Sequence, residues 1–322
     1  MQARITALGT YVPERIVDNH FFESFIETND EWIVSRTGIH TRRFAADQEY
    51  TSHLCLGAAK NLAEENKIAL DDVDFVIVAT VTPDQTMPSV ASQVQDKLGL
   101  PRAGAIDISA ACAGFAYGLI LAQGLIAAGT HRKVLVFGAE TLTKFTDFED
   151  RTSCILFGDG AGAMLVEAAP AGNILSAVTG SQGDGGKDLY MSNLRKDING
   201  LDVITDNKIH QNGRAVFKWA INTVVEQMKI LTDRSHLSLN DIDWFIPHSA
   251  NLRIIEALCN QTGFPLEKTL ESITLFGNTS SASIPLALHR GIRDGKVKKG
   301  DKLMLIGFGG GLVYAGLVVE WG

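Results

Sequence analysis

The chain has 322 residues, enough to bury a sizeable hydrophobic core without disulfide bonds or metal ions to hold it together. Its formal net charge of -8 at pH 7 argues against nucleic-acid binding, because phosphate contacts need a basic face. The four cysteines are widely separated and form no CxxC pair, so we expect neither a disulfide framework nor a metal site.

The N-terminal segment, MQARITALGTYVPERIV, lacks the basic region and the apolar run of a signal peptide. The longest weakly polar run, residues 110–130, includes glycines and polar residues, and we predict a buried central helix there rather than a membrane span. Together with the scattered cysteines, these features indicate a cytoplasmic protein with no membrane partner.

Strands alternate with helices along the chain, which predicts an α/β fold. Three segments of the first half recur in the same order roughly 170 residues later. The pairs are DDVDFVIVATVT (71–82) with NDIDWFIPHSA (240–250), ISAACAGFAYGL (108–119) with LFGNTSSASIPLAL (275–288), and KVLVFGAETL (133–142) with KLMLIGFGGGL (302–312). We therefore predict an internal duplication with halves 1–170 and 171–322, which meet where AAPAG interrupts the pattern.

Cys112 lies in DISAACAGFAYG, between a short apolar run that predicts a strand and a longer one that predicts a helix. At such a corner, the free N–H groups of the first helical turn stabilise a thiolate and any neighbouring oxyanion. A buried structural cysteine is the alternative for a lone thiol. His248 in IPHSAN and Asn278 in FGNTS stand at similar corners, although each alone is compatible with a core or turn role. If equivalent loops of two similar sheets face one another, these three residues converge.

Six motifs are spread over essentially the whole chain: ETNDEWIVSRTGI, AACAGF, FGDGAGA, PHSANLRI, GNTSSASIP and GFGGGL. Together they resemble the β-ketoacyl-acyl carrier protein synthase III family, the initiating condensing enzymes of fatty-acid synthesis within the thiolase-like superfamily. The resemblance implies an internally duplicated, five-layered αβαβα thiolase-like fold and a homodimer. It also implies a catalytic triad of Cys112, His248 and Asn278.

The resemblance implies chemistry in two half-reactions. The Cys112 thiolate, its pKa lowered by helix-terminal N–H groups, takes the acyl group of an acyl-CoA primer and releases CoA. A malonyl thioester on acyl carrier protein then loses CO2, and His248 and Asn278 donate hydrogen bonds to the enolate that remains. The carbanion attacks the acyl-cysteine, whose oxyanion is held by the backbone N–H groups of Cys112 and Gly310. Coenzyme A enters as a substrate, so no cofactor is expected.

Further residues are implied in binding. Those expected to contact CoA are Trp32, Arg36, Arg151, Gly213, Phe217, Asn251 and Arg253, for which solvated faces, ion pairs or ordinary packing are the alternatives. Arg214 and Lys218, four residues apart on a predicted helix, are candidates together with Arg253 for docking the acidic acyl carrier protein. Met87 is expected at the far end of the partner subunit's acyl pocket, where its flexible thioether favours branched short acyl groups as well as acetyl.

Other functions remain open from the sequence. A condensing enzyme of secondary metabolism, of polyketide or quinolone type, would share the triad. A papain-like hydrolase also orders its residues Cys, His, Asn, although the repeated halves disfavour it. A non-decarboxylating thiolase needs a second cysteine near the C-terminal loops, where GFGGGL has none. Neither GFGGGL nor FGDGAGA has the GxGxxG spacing before a helix, so nucleotide-phosphate binding by these loops is not expected.

Overall fold

The computed structural model describes all residues, 1–322. Its strands are β1 (Gln2–Tyr11), β2 (Arg15–Asp18), β3 (Thr41–Phe44), β4 (Phe75–Ala79), β5 (Gly104–Ile108), β6 (Lys133–Thr141), β7 (Asp159–Ala169), β8 (Ile174–Ser181), β9 (Leu189–Met191), β10 (Asp197–Ile198), β11 (Leu201–Asp202), β12 (Ile209–Gln211), β13 (Trp244–Pro247), β14 (Lys302–Gly309) and β15 (Val313–Glu320). Its α-helices are α1 (Asp30–Thr37), α2 (Thr51–Asn66), α3 (Val90–Lys97), α4 (Gly114–Ala127), α5 (Gly213–Ser235), α6 (Leu252–Thr262), α7 (Ile273–Phe276) and α8 (Ser283–Arg293).

Two main sheets repeat one topology. The first has the order β1-β7-β6-β4-β5, with β4 parallel to both β5 and β6 and with β7 antiparallel to β6 and β1. The second has the order β8-β15-β14-β13, with the same directions at equivalent positions. The place of a fifth strand is taken by a single parallel bridge between Phe245 and Thr269. The first sheet lies within residues 2–169 and the second within residues 174–320, on either side of the AAPAG interruption.

The hydrophobic clusters divide the chain into five layers. The central cluster joins Phe115 of α4 and Ile284 of α8 to inward-facing residues of both sheets, such as Val136 and Leu305. A second cluster packs α2 and α3 on the outer face of the first sheet, and a third packs α5 and α6 on the outer face of the second. Helices therefore cover both faces of each sheet, which is the αβαβα arrangement predicted from the sequence.

Helix α4 owes its apolar composition to its place between the sheets, and the prediction of a buried helix holds for the side that faces them. The other side is open, because Leu121 is 44% exposed and Gly124 is also exposed. In the first sheet, β5 has no neighbour at its outer edge. No helix of the chain combines the length and the apolar character needed to cross a bilayer.

The remaining strands form three small two-stranded sheets. β2 pairs with β3, β9 with β12, and β10 with β11. The segment 185–208, for which the sequence suggests no role, forms β9 and the β10–β11 hairpin. Leu189 and Met191 of β9 line the cavity together with Ile209 of β12, so this segment contributes to the cavity wall.

Candidate active site

The two halves carry the same backbone corner at equivalent positions. In the first half, a short 3-10 helix at Ala111–Ala113 leads directly into α4. In the second half, a 3-10 helix at Ser280–Ala282 leads into α8. Each begins with a non-glycine residue in the left-handed region, Ala111 at φ 44° and Ser280 at φ 48°. Such conformations are costly and are found where a side chain must be held in a required direction.

A cavity of about 580 Å³ opens between these corners. Cys112, Asn278 and Gly310 all line it, although they lie far apart in the sequence. Much of the remaining wall is apolar and includes Phe157 and Leu189. The cavity therefore combines a nucleophile and polar groups with an apolar surface, as expected of a site for a small organic substrate.

The Cys112 thiol is almost completely buried, with 8% of the residue exposed. Burial raises its pKa to about 12, and the Ser280 hydroxyl opposes this rise. The backbone N–H of Cys112 does lower the pKa as predicted, but the loss of hydration outweighs it, so the net shift in the ligand-free cavity is upward and the predicted net direction is wrong. The resting residue is a thiol, and its proton must leave as the sulfur attacks.

His248 follows β13 and is 1% exposed. It lies behind the cavity surface, with its ring edge-on to Phe308 at 5.4 Å between centroids. Its Nδ1 atom is 2.7 Å from Ser283 Oγ. The same Ser283 oxygen accepts a hydrogen bond of 3.3 Å from the backbone N–H of Ser249. Nδ1 is the one acceptor for the buried Ser283 hydroxyl proton, so we infer that the ring proton lies on Nε2. Burial lowers the pKa of His248 to about 3, which keeps the imidazole neutral.

Asn278 is held by both its backbone and its side chain. Its N–H donates to Leu156 O at 2.8 Å, and its C=O accepts from Gly158 N at 3.0 Å. The side-chain Oδ1 accepts from the backbone N–H of Ser280 at 2.9 Å. No protein group accepts from Nδ2, which is not among the buried unpaired atoms. The carboxamide therefore presents its N–H groups to the cavity.

The glycines of GFGGGL allow this loop to approach the first corner closely. A Cβ atom at Gly309 would lie 2.8 Å from Cys112 Sγ, and one at Gly307 would lie 2.7 Å from the Cys112 carbonyl oxygen. Gly310 itself lines the cavity. The sequence singled out Gly310 and missed Gly309, whose closeness to the sulfur depends on how the two halves are packed.

We expect Gly309→Ala to lower the rate of Cys112 acylation at least about 100-fold, because the added methyl group would overlap the sulfur. Gly183→Ala is the control, since a Cβ atom there would meet nothing within 4 Å. The measurement is the rate of covalent labelling of Cys112 by a thioester. Equal rates in the two variants would contradict the close approach of Gly309.

Five of the residues predicted to bind CoA lie together at the surface. The Arg151 guanidinium lies 4.4 Å from the centre of the Trp32 ring, and that of Arg36 lies 5.9 Å from it. Asn251 donates from Nδ2 to the Arg36 carbonyl oxygen at 3.1 Å and caps α6 by accepting from Arg253 N. The result is a half-buried aromatic ring beside the guanidinium groups of Arg36 and Arg151, a combination that suits a planar, phosphorylated group.

The other predicted binding residues are not joined to this group by a hydrogen bond or ring contact. Gly213 and Phe217 lie on the first two turns of α5, where Phe217 is 37% exposed. Arg214 and Lys218 are exposed on the same turns. Met87 is 81% exposed, outside the cavity of its own chain, although its neighbour Thr86 lines that cavity.

Comparison with known proteins identifies the family. Residues 106–183 match the family described as 3-oxoacyl-[acyl-carrier-protein] synthase III, and residues 232–321 match its C-terminal part. The chain is 53% identical to β-ketoacyl-[acyl-carrier-protein] synthase III 2 of Halalkalibacterium halodurans, over 99% of this chain and 97% of that protein. It is 51% identical to the protein of the same name from Bacillus subtilis, over 100% and 99% of the two chains. The chain belongs to the β-ketoacyl-[acyl-carrier-protein] synthase III family.

A solved structure leads to the same family. The crystal structure of β-ketoacyl-[acyl carrier protein] synthase III from Thermus thermophilus superposes with a TM-score of 0.96, at 43% identity and with 99% of each chain covered. The synthase III resemblance and the thiolase-like fold predicted from the sequence are thus confirmed. The papain-like hydrolase alternative is disfavoured, because the fold is that of the synthases throughout.

Two residues of this synthase III site escaped the sequence interpretation. Ser283 contacts His248, but it stands in a motif, GNTSSASIP, that draws attention to its asparagine. Glu140 lies near the end of a predicted strand, and no motif around it indicates a functional role. Its relation to the second corner could have been suspected only from the repeat, in which Glu140 aligns with Gly309 beside the first corner.

Proposed function

We propose that the protein is the initiating condensing enzyme of type II fatty-acid synthesis. An acyl-CoA primer acylates Cys112, and decarboxylative condensation with malonyl-acyl carrier protein then gives β-ketoacyl-acyl carrier protein, CoA and CO2. The observation that carries the proposal is the cavity shared by the Cys112 thiol and the free N–H groups of Asn278. Family membership supports it, because the curated relatives named above are synthases of this type.

In the first half-reaction, the Cys112 sulfur attacks the thioester carbonyl, and the carbon–sulfur bond to CoA breaks. The thiol proton ends on the departing CoA sulfur, so the half-reaction as a whole neither consumes nor releases a proton. Because burial holds the pKa of Cys112 at about 12, the proton must move during the attack. His248 is not assigned as the base for this transfer, because its Nε2 atom carries the ring proton and its Nδ1 atom accepts from Ser283.

In the second half-reaction, the malonyl carbon–carboxylate bond breaks, CO2 departs and its electron pair forms an enolate on the thioester. Asn278 Nδ2–H and His248 Nε2–H are the donors that we assign to the enolate oxygen. The enolate carbon then attacks the acyl-cysteine carbonyl, whose oxyanion is held by the N–H groups of Cys112 and Gly310. Cys112 leaves as a thiolate and regains a proton from solvent.

The surface group around Trp32 is our proposed CoA site. The flat ring and the flanking Arg151 suit the adenine, and Arg36 and Arg253 suit the phosphates. Gly213, Phe217 and Asn251 complete the assignment as the tunnel towards the cavity. Arg214, Lys218 and Arg253 are the proposed contacts of the acidic carrier, because a chain of net charge -8 needs a local cationic surface for such a partner.

A homodimer is part of the proposal, supported by the unpaired outer edge of β5. Ile106 on this strand is 46% exposed, so a second copy that pairs at this edge would also cover an apolar side chain. We retain the division into halves 1–170 and 171–322 within each subunit. Four free cysteines favour a reducing compartment, and we propose a cytoplasmic location.

We expect Ile106→Lys to raise the dimer dissociation constant at least about tenfold, because it adds a charge to the proposed interface. The measurement is sedimentation equilibrium over a range of concentrations. Leu175→Lys is the matched control, since Leu175 is 39% exposed on β8, the edge strand of the other sheet. A monomeric parent, or equal effects of the two substitutions, would show that β5 is not the interface.

We expect isobutyryl-CoA to prime the reaction within about tenfold of acetyl-CoA, because the unbranched thioether of Met87 can make room for a branched acyl group. Met87→Phe should lower the rate with isobutyryl-CoA selectively, by about tenfold, while acetyl-CoA is little affected. The measurement is kcat/KM for each primer. Strict preference of the parent for acetyl-CoA would count against the role of Met87.

Mass spectrometry after mixing with acyl-CoA tests the proposed function. The protein should gain one acyl group on Cys112, and malonyl-acyl carrier protein should then remove it with release of CO2. Acylation followed by hydrolysis without CO2 would overturn the proposal. A condensing enzyme of secondary metabolism would also release CO2, but the names of the curated relatives favour the fatty-acid reaction.

A further inference from the structure

Glu140, the penultimate residue of β6, is a buried acid that the mechanism above does not use. Its side chain is 0% exposed, and none of the ion pairs in the chain includes it. Burial raises its pKa to about 7, and the hydrogen bonds that it accepts oppose this rise. A buried carboxylate without a cation depends on such donors to stay ionised.

One carboxylate oxygen of Glu140 is bound to the loop that follows β4. Oε2 accepts from Thr80 Oγ1 at 3.0 Å and from the backbone N–H groups of Val81 and Thr82, each at 3.1 Å. It also accepts from Thr82 Oγ1 at 2.7 Å. Thr80 and Val81 line the cavity, so this oxygen anchors the cavity wall.

The other oxygen of Glu140 faces the corner of the second half. Oε1 is 3.1 Å from Ser280 Oγ and 3.3 Å from Ser281 Oγ. The Ser281 hydroxyl has a nearer acceptor in the Ala79 carbonyl oxygen, at 2.9 Å. Because a hydroxyl has one proton to donate, Ser280 is the principal donor to Oε1.

Ser280 connects Glu140 to the carboxamide in the cavity. Its hydroxyl bonds Glu140, while its backbone N–H donates to Asn278 Oδ1 at 2.9 Å. Its φ of 48° is one that serine adopts only when its surroundings enforce it. Ser280 therefore links the Glu140 carboxylate to the Asn278 carboxamide: its hydroxyl bonds the first, and its backbone N–H sets the direction of the second.

We propose that Glu140 is a positioning residue for the condensation half-reaction: it anchors the left-handed turn at Ser280 and so keeps the Asn278 N–H groups directed into the cavity. The inference rests on the function proposed above. Acylation of Cys112 does not need Asn278, so loss of the anchor slows decarboxylation selectively. The negative charge of Glu140 raises the pKa of Cys112, so removing that charge gives no reason for slower acylation.

The test is a double-mutant cycle of Glu140→Gln and Ser280→Ala, measured as malonyl-acyl carrier protein decarboxylation by pre-acylated enzyme. Each single variant should be slowed about tenfold, and the double variant also about tenfold, because both remove one linkage. Acylation of the Glu140→Gln variant should stay within about threefold of the parent. Ser281→Ala is the matched control, since this hydroxyl faces the same carboxylate without contacting Asn278, and it should decarboxylate at about the parental rate.

Three results would overturn the role of Glu140: parental decarboxylation by Glu140→Gln, an equal loss in both half-reactions, or a double variant slowed by the product of the single effects. If Glu140→Gln does not fold, equal rates in Ser280→Ala and Ser281→Ala overturn it instead. A parent enzyme that releases no CO2 overturns the proposed function and this inference with it. If the parent condenses normally and the Glu140→Gln variant decarboxylates at the parental rate, the inference is overturned but the proposed function stands.

Discussion

Replacing Cys112 with alanine is expected to abolish the acyl-enzyme and to lower the condensation rate by at least about four orders of magnitude. The loss should be this large because Cys112 is the only thiol that lines the cavity. No neighbouring group can therefore form the covalent intermediate in its place. Intact-protein mass spectrometry after addition of acyl-CoA measures the adduct, and release of CO2 from malonyl-acyl carrier protein measures the overall reaction.

Two of the three other buried cysteines are the controls for this substitution. Cys154→Ala and Cys259→Ala remove thiols that are 1% and 4% exposed and that lie outside the cavity lining. Both variants should still take up one acyl group and should condense at about the parental rate, although each loses some packing. An adduct that persists in Cys112→Ala, or that disappears in Cys154→Ala, would show that the nucleophile is assigned wrongly.

Replacing Asn278 with alanine is expected to slow condensation about 100- to 1,000-fold and to leave acylation within a fewfold of the parent. The amide donates to an enolate that exists only in the second half-reaction, so its removal costs about 3 kcal/mol there and little in the first. Single-turnover measurements separate the two steps, the first with acyl-CoA alone and the second with pre-acylated enzyme and malonyl-acyl carrier protein.

Two comparisons sharpen this second prediction. Asn278→Asp keeps the shape of the side chain but replaces the N–H donors with an acceptor, so condensation should fall at least as far as in the alanine variant. Asn260→Ala changes an exposed residue of α6 and should alter neither step. Equal losses in acylation and condensation for Asn278→Ala would mean that the residue maintains the cavity and does not act on the enolate.

Much of the architecture could be predicted because the two halves contain the same short sequence patterns in the same order. Apolar runs such as FVIVA and LMLIG are typical of buried strands, and the small residues around Cys112 and Asn278 favour tight corners. Their equal spacing in the two halves predicted matching sheets, which the strand orders confirm. The sequence could not predict that the fifth strand of the second sheet shrinks to one bridge at Thr269, because strand pairing depends on distant partners.

The candidate site divides in the same way. The identity of its polar groups could be predicted from sequence, because sulfur, imidazole and carboxamide at three corners have few other uses in combination. The pKa of Cys112 could not, since hydration is lost through the packing of many residues and the predicted direction of the shift was therefore wrong.

By itself, the sequence determined the duplication, the corners and the residue types of the proposed active site, because each depends on neighbours within a few positions. Only the tertiary structure decided that no side chain fits between Gly309 and the sulfur, that Ser283 contacts the imidazole and that Ser280 bonds Glu140. These contacts join groups from different strands and helices across both halves. Their distances are set by how the layers pack, to within less than the width of one atom, and no local pattern records that packing.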